Sequence, residues 1–292
     1  MILIGESINI MSRTIGPAFK ERNPKPVQEM ALAELKGGVD YLDINIGPAR
    51  RGGDELMEWV VNTVQEVTDK PLSLDTTNTI AMEAGLKVCK SRALINSISL
   101  QPDRLEKGLP LAANYNADMI GLLWGVEGMP RDANERCMLA VDLIYQANEA
   151  GIPTENIWID PIASPVSVEI NQVKSCVEFM SMLGDIAPGC KSTVGLSNIS
   201  NGTPAHLRPQ LNRTYLIMLM RYGLYSAIVD AFDPELVSLA RGEMPEIIDL
   251  VHRVMDGEKP DMSSLNQKEV EYVKTVNVLT GESLYSHSWL EI

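Results

Sequence analysis

The strongest constraint on the fold is an eightfold alternation of short apolar runs with amphipathic segments. Several of the runs are nearly continuous in apolar residues, which is typical of parallel strands covered on both faces. The segments between them have helical periodicity, for example Pro26–Gly37, Glu55–Val67 and Arg136–Ala150. The eight predicted strands are Ile2–Ile8, Tyr41–Ile46, Leu72–Thr76, Ala93–Ser97, Met119–Leu123, Ile157–Ile162, Thr193–Leu196 and Ala227–Ala231.

Eight β-α units over about 255 residues match a (β/α)8 barrel, the TIM barrel, in number and length. A doubly wound open sheet is the alternative, and the chain lacks the GxGxxG fingerprint of its dinucleotide-binding version. From Asp256 onward the sequence becomes polar and is surplus to the eight units. We therefore predict a barrel domain over residues 1–255 and a C-terminal extension over residues 256–292. The extension is expected to pack on the barrel or to contact a partner.

The charge balance argues against a nucleic-acid partner, because 39 acidic residues outnumber 25 basic ones and give a net charge of −14. No signal peptide is evident in MILIGESINI, and the apolar stretch LIMLM is far too short to span a membrane. We expect a cytoplasmic protein with no membrane partner. Reduced thiols, rather than a disulfide framework, are expected for Cys89, Cys137, Cys176 and Cys190.

Carboxylates, carboxamides and hydroxyls stand at the C-terminal ends of seven of the eight predicted strands. In barrel enzymes this end of the strands carries the active site. No lysine, histidine or cysteine stands there, which argues against a Schiff-base lysine, a histidine-rich metal site and a Ser-His-Asp triad. The strand-end residues are Glu6, Asn9, Asp43, Asn45, Asp75, Thr76, Thr77, Asn78, Asn96, Ser97, Asp160, Ser197, Asn198 and Asp230.

A ring of aspartate and asparagine side chains suits a neutral heterocycle with adjacent N–H donors and ring acceptors. A pterin presents an exocyclic amine beside a ring N–H, and one carboxylate can accept from both. The alternative is that these side chains cap the helices that follow the strands. Capping explains a single position such as Asp75 or Asn78 equally well, but it does not require polar residues after seven strands. We therefore expect the barrel domain to bind a pterin-type ligand and to have no metal site.

Seven segments in one order resemble the pterin-dependent corrinoid methyltransferases, and the resemblance runs from Met1 to about Val237. This family includes methyltetrahydrofolate:corrinoid/iron-sulfur protein methyltransferases, tetrahydrofolate methyltransferase components of O-demethylases, and the folate module of cobalamin-dependent methionine synthase. Dihydropteroate synthase shares the barrel and the pterin pocket, but its basic residues near the last strands are not matched by NGTPAHLRPQLNR. The matching segments are GESIN (5–9), DINIGPA (43–49), LDTTN (74–78), INS (95–97), IDP (159–161), GLSNIS (195–200) and NRTYL (212–216).

The resemblance implies a homodimeric barrel that moves a methyl group between N5 of tetrahydrofolate and the cobalt of a corrinoid. The corrinoid, a cobalamin or a related compound, would be carried by a partner protein. By motif, Asn198 is the catalytic residue that hydrogen-bonds N5, and Ser197 and Ile228 lie at the methyl-transfer face. Ile228 fits the core of the eighth strand equally well. The pterin-binding positions implied by the resemblance are Asp43, Asn45, Asp75, Asn96, Asp160, Asn198, Asn201 and Arg208.

The implied chemistry needs few titrating groups. A cobalt(I) corrinoid is a strong nucleophile, whereas the tertiary amine of the folate is a poor leaving group that needs a proton or hydrogen bond at N5. A carboxamide can donate or accept there according to the protonation state of N5. Two alternatives remain: a pterin enzyme like dihydropteroate synthase, and a non-catalytic folate-binding subunit of a corrinoid system. The direction of methyl transfer is open.

Overall fold

The computed structural model describes residues 1–291, and its centre is an eight-stranded parallel sheet in the order β7-β6-β5-β4-β3-β2-β1-β8. A single bridge between Gly195 and Ile228 links the two ends of this sheet, so the strands form a nearly closed ring. The prediction of a TIM barrel is confirmed. The strands are β1 (Ile2–Asn9), β2 (Tyr41–Asn45), β3 (Leu72–Asp75), β4 (Leu94–Ser99), β5 (Asp118–Leu122), β6 (Ile157–Asp160), β7 (Lys191–Ser192) and β8 (Ser226–Val229).

Helices surround the ring and connect successive strands. Local sequence sets their ends: Pro24 stands in the first turn of the second helix, where its missing N–H costs nothing, and Gly38 ends that helix in the left-handed conformation. The helices are α1 (Ile15–Glu21), α2 (Pro24–Gly37), α3 (Gly53–Gln65), α4 (Thr79–Val88), α5 (Pro102–Asn114), α6 (Ala133–Glu149), α7 (Ile170–Ile186), α8 (Arg208–Met220), α9 (Pro234–Ala240), α10 (Pro245–Met255) and α11 (Gln267–Thr280).

Strand β7 lies earlier in the chain than the sequence predicted. The predicted run was Thr193–Leu196, but the strand covers Lys191–Ser192, and a 3₁₀ helix begins at Leu196. Val194 and Leu196 are both buried, so they produce the apolar signal of a strand although they lie beyond β7. After Ser192 the chain stays beside β8 through the bridge at Gly195, a hydrogen bond from Ile228 N to the carbonyl of Val194, and one from Ser226 Oγ to Thr193 Oγ1. An apolar pattern reports burial and cannot distinguish these two conformations.

The barrel interior is filled by an apolar layer below its mouth. Four buried side chains form this layer, each from a different strand, and Ile228 packs against them. Large side chains fill the interior of a small barrel in this way, so the molecule has a packed core and no pore. The four residues are Ile4, Leu94, Ile120 and Trp158.

The opposite end of the barrel, where the strands begin, is closed by charged and aromatic side chains. Asp118 accepts a hydrogen bond from Trp158 Nε1 at 3.1 Å and lies 2.9 Å from Arg92 Nε and 3.7 Å from Lys191 Nζ. The Lys191 ammonium also lies 5.2 Å from the ring centres of Trp158 and Tyr225. These cation–π and ionic contacts offset the charge of the buried carboxylate and close the base of the barrel.

The C-terminal extension packs on the barrel helices. Helix α11 contacts α7, α8 and α10, and it buries Tyr272, Val273, Val276 and Leu279. The boundary at residues 255/256 stays a prediction. Among the described residues, the four cysteines are free, and no helix is both long enough and apolar enough to cross a membrane.

Candidate active site

The mouth of the barrel carries a hydrogen-bonded group on the adjacent strands β2, β3 and β4. Asp43 accepts from Ser73 Oγ at 2.6 Å and from Asn96 Nδ2 at 3.1 Å. Burial raises the pKa of the Asp43 carboxyl to about 6. Because Asn96 uses its NH2 group toward Asp43, its side-chain oxygen is left as an acceptor for a ligand.

Asp75 lies one level higher, in register with Asn45 on one side and Asn96 on the other. Its carboxylate accepts a hydrogen bond from Asn45 Nδ2. Burial, with the neighbouring charge of Asp43 as a second cause, raises the pKa of Asp75 well above its ordinary value. The side chain that caps the following helix is Asn78, whose oxygen accepts from Ile80 N and Ala81 N. Capping therefore explains Asn78, and Asp75 remains available to a ligand.

Asp160 ends strand β6 and is buried. It accepts from the backbone N–H of Ile162 at 2.7 Å, and burial raises the pKa of its carboxyl to about 6. Ile162 has a φ of 67°, a left-handed conformation that a β-branched residue adopts at a cost of about 1–3 kcal/mol. The buried Arg136 supports this turn by donating to the carbonyl of Pro161 at 2.8 Å. Strain held in place around one carboxylate is a common property of ligand-binding sites.

A second polar group lies where β1 meets the segment after β7. Glu6 accepts a hydrogen bond from Ser197 Oγ at 2.7 Å. Burial, aided by the charge of Asp230, raises the pKa of Glu6 to about 7. A cavity of about 180 Å³ opens beside this pair, and Arg208 and Asp230 also line it. This part of the mouth therefore holds a carboxyl group that titrates near neutral pH.

Asn198 stands in the 3₁₀ helix that follows β7. Asn201 Nδ2 donates to Asn198 Oδ1 at 3.3 Å, which leaves the NH2 group of Asn198 as a donor for another partner. Arg208, at the start of α8, donates to Ser200 Oγ at 3.1 Å and to the carbonyl of Ser197 at 3.4 Å. The guanidinium thus ties the start of α8 to the segment that carries the amide.

The structure brings the predicted site residues together in two groups. The first group lies on β2, β3 and β4, the second follows β7, and Asp160 on β6 lies between them around the ring. Ile228 is half-buried and packs on the apolar layer, as a core residue of β8 does. Its contact with a methyl group stays a prediction. The two groups are Asp43, Asn45, Asp75 and Asn96, and Ser197, Asn198, Asn201 and Arg208.

The sequence does not predict three charged side chains near the mouth, because they belong to helices and not to strand ends. Glu34 of α2 is buried, accepts from Ser7 N at 2.8 Å, and has a pKa raised by burial to about 7. Arg104 of α5 donates to the carbonyls of Thr77 and Ser97. Arg136 of α6 is the third, and no periodic pattern distinguishes any of them from surface charges.

The mouth of the barrel offers several acceptors, on β3, β4 and β6, and one free amide donor after β7. Asp75, Asp160 and the oxygen of Asn96 are suited to a ligand with several N–H groups on one edge. Asn198 is suited to a ligand atom that accepts a hydrogen bond, because its free NH2 group donates. Within residues 1–291, no group of three or more His, Cys, Asp and Glu side chains is placed to hold a metal ion.

This chemistry agrees with a family comparison. The family described as pterin binding enzyme matches residues 17–230 of the chain, a range that contains strands β2 to β8. The chain belongs to the pterin-binding enzymes. The match confirms the resemblance on which the sequence prediction was based.

Individual relatives narrow the enzyme class. The methylcorrinoid:tetrahydrofolate methyltransferase of Eubacterium limosum is 27% identical over 232 residues, which cover 79% of this chain and 85% of that protein. The methionine synthase of Mycobacterium tuberculosis is 26% identical over 242 residues, and this chain spans only 20% of its length. These relatives confirm the prediction that this pterin-binding enzyme is a methyltransferase.

Solved structures of dihydropteroate synthases share the fold. The enzyme from Thermus thermophilus aligns with a TM-score of 0.61 at 20% identity, covering 84% of this chain and 93% of that one. A dihydropteroate synthetase solved with a product aligns with a TM-score of 0.63 at 18% identity, covering 84% and 94% of the two chains. At this level of identity the likeness shows a common barrel and nothing about the reaction.

Proposed function

We propose that this pterin-binding enzyme transfers a methyl group between N5 of tetrahydrofolate and the cobalt of a corrinoid carried by a partner protein. The observation that carries the proposal is the presence, at one mouth of the barrel, of buried acceptors at the ends of β3, β4 and β6 together with the free amide donor of Asn198 after β7. The name of the Eubacterium limosum relative supports the same pair of substrates.

The acceptor side of the mouth would hold the pterin ring. Asp75 and Asp160 would accept from its amine and ring N–H groups, and Asn96 would accept through the oxygen that Asp43 leaves free. In the free enzyme, burial favours the neutral form of both carboxyl groups. A bound ligand that donates hydrogen bonds to them would favour the ionised form. Asn45 would position Asp75 through the hydrogen bond that joins them.

Asn198 would act at N5. In transfer from methyltetrahydrofolate, N5 gains electron density as the methyl group leaves, and a hydrogen bond from the Asn198 NH2 group grows stronger in the transition state. The amide does not titrate and cannot supply the proton that N5 finally carries. Glu6 is the titratable group bonded to the same segment, through Ser197, and its pKa of about 7 allows it to hold or release a proton at neutral pH. The corrinoid cobalt supplies the nucleophile in this direction and the methyl group in the other.

The partner would dock on the mouth. Large apolar side chains are exposed on the loops that follow several strands, although such side chains are usually buried. Their position around the polar pocket supports a docking surface for a protein that must bring its cobalt to N5. The exposed residues are Met11, Trp124, Val126, Val168 and Phe232.

A homodimer is part of the proposal. Helix α6 presents Met138, Val141 and Tyr145 to solvent, and these side chains line one groove together with Cys137. A second copy of the chain would cover this apolar stripe. Sedimentation velocity of the wild type and of Val141→Asp tests this interface. The charged variant should shift the protein from dimer to monomer.

The decisive test is Asn198→Ala in a single-turnover reaction with methyltetrahydrofolate and cob(I)alamin. Loss of a donor where charge develops slows a reaction by about 10²–10³-fold, whereas loss of a neutral hydrogen bond weakens binding by only about 1 kcal/mol. We expect a large loss of rate with a small loss of affinity. Asn198→Asp should also be slow in the direction that needs a donor, because an ionised carboxylate only accepts. A variant as fast as the wild type would contradict the role of Asn198.

The same experiment separates the alternatives. Formation of methylcobalamin supports the transferase, and folate binding without it supports a non-catalytic subunit. Product formation from a pterin pyrophosphate and p-aminobenzoate would support a synthase like those that share the fold. Running the reaction from methylcobalamin and tetrahydrofolate as well gives the equilibrium constant and hence the favoured direction.

A further inference from the structure

Helix α11 packs on α8 and contacts α9 at its start and α7 at its end. At its start, Lys268 Nζ lies 2.8 Å from Glu235, and the Tyr272 hydroxyl donates to the same carboxylate at 2.8 Å. At its end, Gly281 lies beside Ile170 and Lys174 in the first turns of α7. Because α7 and α9 both begin after a strand ends, α11 lies at the level of the active site.

The residues after α11 turn back and are fixed on it. Trp289 is buried, and its Nε1 donates to Thr275 Oγ1 at 3.0 Å. Lys274 Nζ donates to the carbonyl of Leu290 at 2.8 Å. The ring of Tyr285 packs on Trp289 with 5.7 Å between the ring centres. The tail therefore has its own anchors and holds Tyr285 in one place.

Tyr285 reaches the segment that carries Asn198. Its hydroxyl lies 2.7 Å from Thr203 Oγ1, and Thr203 is buried between the 3₁₀ helix after β7 and α8. The N–H of Thr203 donates to the carbonyl of Ser200 at 3.1 Å, and Ser200 Oγ accepts from Arg208. One hydrogen bond thus joins the end of the chain to the hydrogen bonds that order Asn198 and Arg208.

The same segment has a second support, which comes from another part of the chain. Val166 N donates to the carbonyl of Ile199 at 3.0 Å, and Ser167 Oγ donates to the carbonyl of Asn201 at 3.0 Å. These two bonds come from the loop between β6 and α7. The segment is therefore hydrogen-bonded both to that loop and to the C-terminal tail, and loss of either support should loosen it.

We propose that residues 281–291 are a brace for residues 196–208, with Tyr285 as the positioning residue that acts on the reaction through Thr203. The hydrogen bond orders the segment in the free enzyme, so the amide of Asn198 meets N5 without a further ordering step. The effect on rate rests on the proposed role of Asn198, whereas the ordering of the segment does not.

The test compares Tyr285→Phe, Thr203→Val and the double variant, with Tyr222→Phe in the exposed turn after α8 as the matched control. Each Tyr285 or Thr203 variant removes one hydroxyl from the hydrogen bond and keeps most of the side chain. Hydrogen exchange of residues 196–208 should be faster in all three. The single-turnover rate should fall by about 2- to 10-fold, with a smaller change in folate affinity. The double variant should resemble the single ones, because both partners form one interaction.

Unchanged exchange in residues 196–208, or additive effects of the two single changes, would overturn the brace. Faster exchange with a wild-type rate would overturn its positioning role and leave a purely structural contact. Failure of the proposed function is recognised separately, since the wild type would then form no methylcobalamin while exchange in the Tyr285 variant still rises. An Asn198→Ala variant as fast as the wild type would contradict only the role of Asn198. The Tyr222→Phe control should match the wild type in both measurements.

Discussion

Replacing Asp160 by asparagine isolates the effect of the negative charge at the proposed pterin pocket. The side chain keeps its shape, and its oxygen can still accept from Ile162 N, which the native carboxylate does at 2.7 Å. The NH2 group that replaces the second oxygen can only donate, so it would face the N–H donors of the pterin. The substitution therefore removes ligand recognition with little disturbance of the turn that Arg136 supports.

The expected magnitude follows from two quantities. A hydrogen bond to a charged acceptor contributes about 1.5–3 kcal/mol, so folate affinity should fall by about 10- to 150-fold. In the wild type, the pKa of Asp160 is about 6 because of burial, and protonation would turn the oxygen that faces the ligand from an acceptor into a donor. Its ionised fraction falls from nearly all at pH 8 to about one tenth at pH 5. Asp160 alone should therefore weaken binding about tenfold over that range.

Isothermal titration with methyltetrahydrofolate between pH 5 and pH 8 measures both effects. Two buffers with different ionisation enthalpies at each pH give the number of protons released on binding. The wild type should release almost no proton at pH 8, about half a proton at pH 6 and nearly one proton at pH 5. Protonation of the ligand itself affects the wild type and Asp160→Asn equally, so it cancels in the ratio of their two affinities at each pH. Glu127→Gln, an exposed change on the loop after β5, is the matched control.

Two results would refute the reasoning. One is an Asp160→Asn affinity within twofold of the wild type, which would place the carboxylate away from the ligand. The other is a ratio of the two affinities that stays constant between pH 5 and pH 8, which would mean that Asp160 does not titrate in the free enzyme.

Two further predictions concern stability. Burial raises the pKa of Glu34 from 4.5 to about 7, so the native state binds its proton more tightly than the unfolded state, and the wild type should lose stability as the pH rises through this interval. Glu34→Gln, compared by urea unfolding at pH 5 and pH 8, should reduce that loss by up to about 3 kcal/mol, and an unaltered pH dependence would exclude Glu34 as its source. A Cβ on Gly37 would lie 2.4 Å from the carbonyl oxygen of Ala231, so Gly37→Ala should destabilise by about 1–3 kcal/mol. Gly184→Ala in α7, where nothing lies within 4 Å, should stabilise by up to about 1 kcal/mol, and equal thermal shifts in the two variants would contradict the packing argument.

The sequence was sufficient for most of the fold because a buried parallel strand has a nearly continuous apolar run and ends in polar residues. That rule located seven strands to within two residues. It failed at β7, where Val194 and Leu196 are buried outside the regular strand. Burial of a short segment has more than one structural cause, and a single sequence does not separate them.

The site was predictable to the extent that the barrel places strand ends on one face. The pairing of Asn45 with Asp75 follows from strand register, which no local pattern specifies. The contribution of Glu34 and Arg136 depends on the rotation of α2 and α6 against the sheet. The contact between Tyr285 and Thr203 joins residues far apart in the chain, so it required the three-dimensional arrangement.

The closed base of the barrel has a kinetic consequence. Asp118, Lys191 and Trp158 block that end, so a folate in the pocket can enter and leave only through the mouth. A corrinoid protein that docks on the mouth would cover the same passage. The two substrates should then follow a compulsory order, with the folate first to arrive and last to depart. Excess corrinoid protein should slow turnover by trapping the folate product, and this inhibition would disappear for a free corrinoid small enough to leave the passage open.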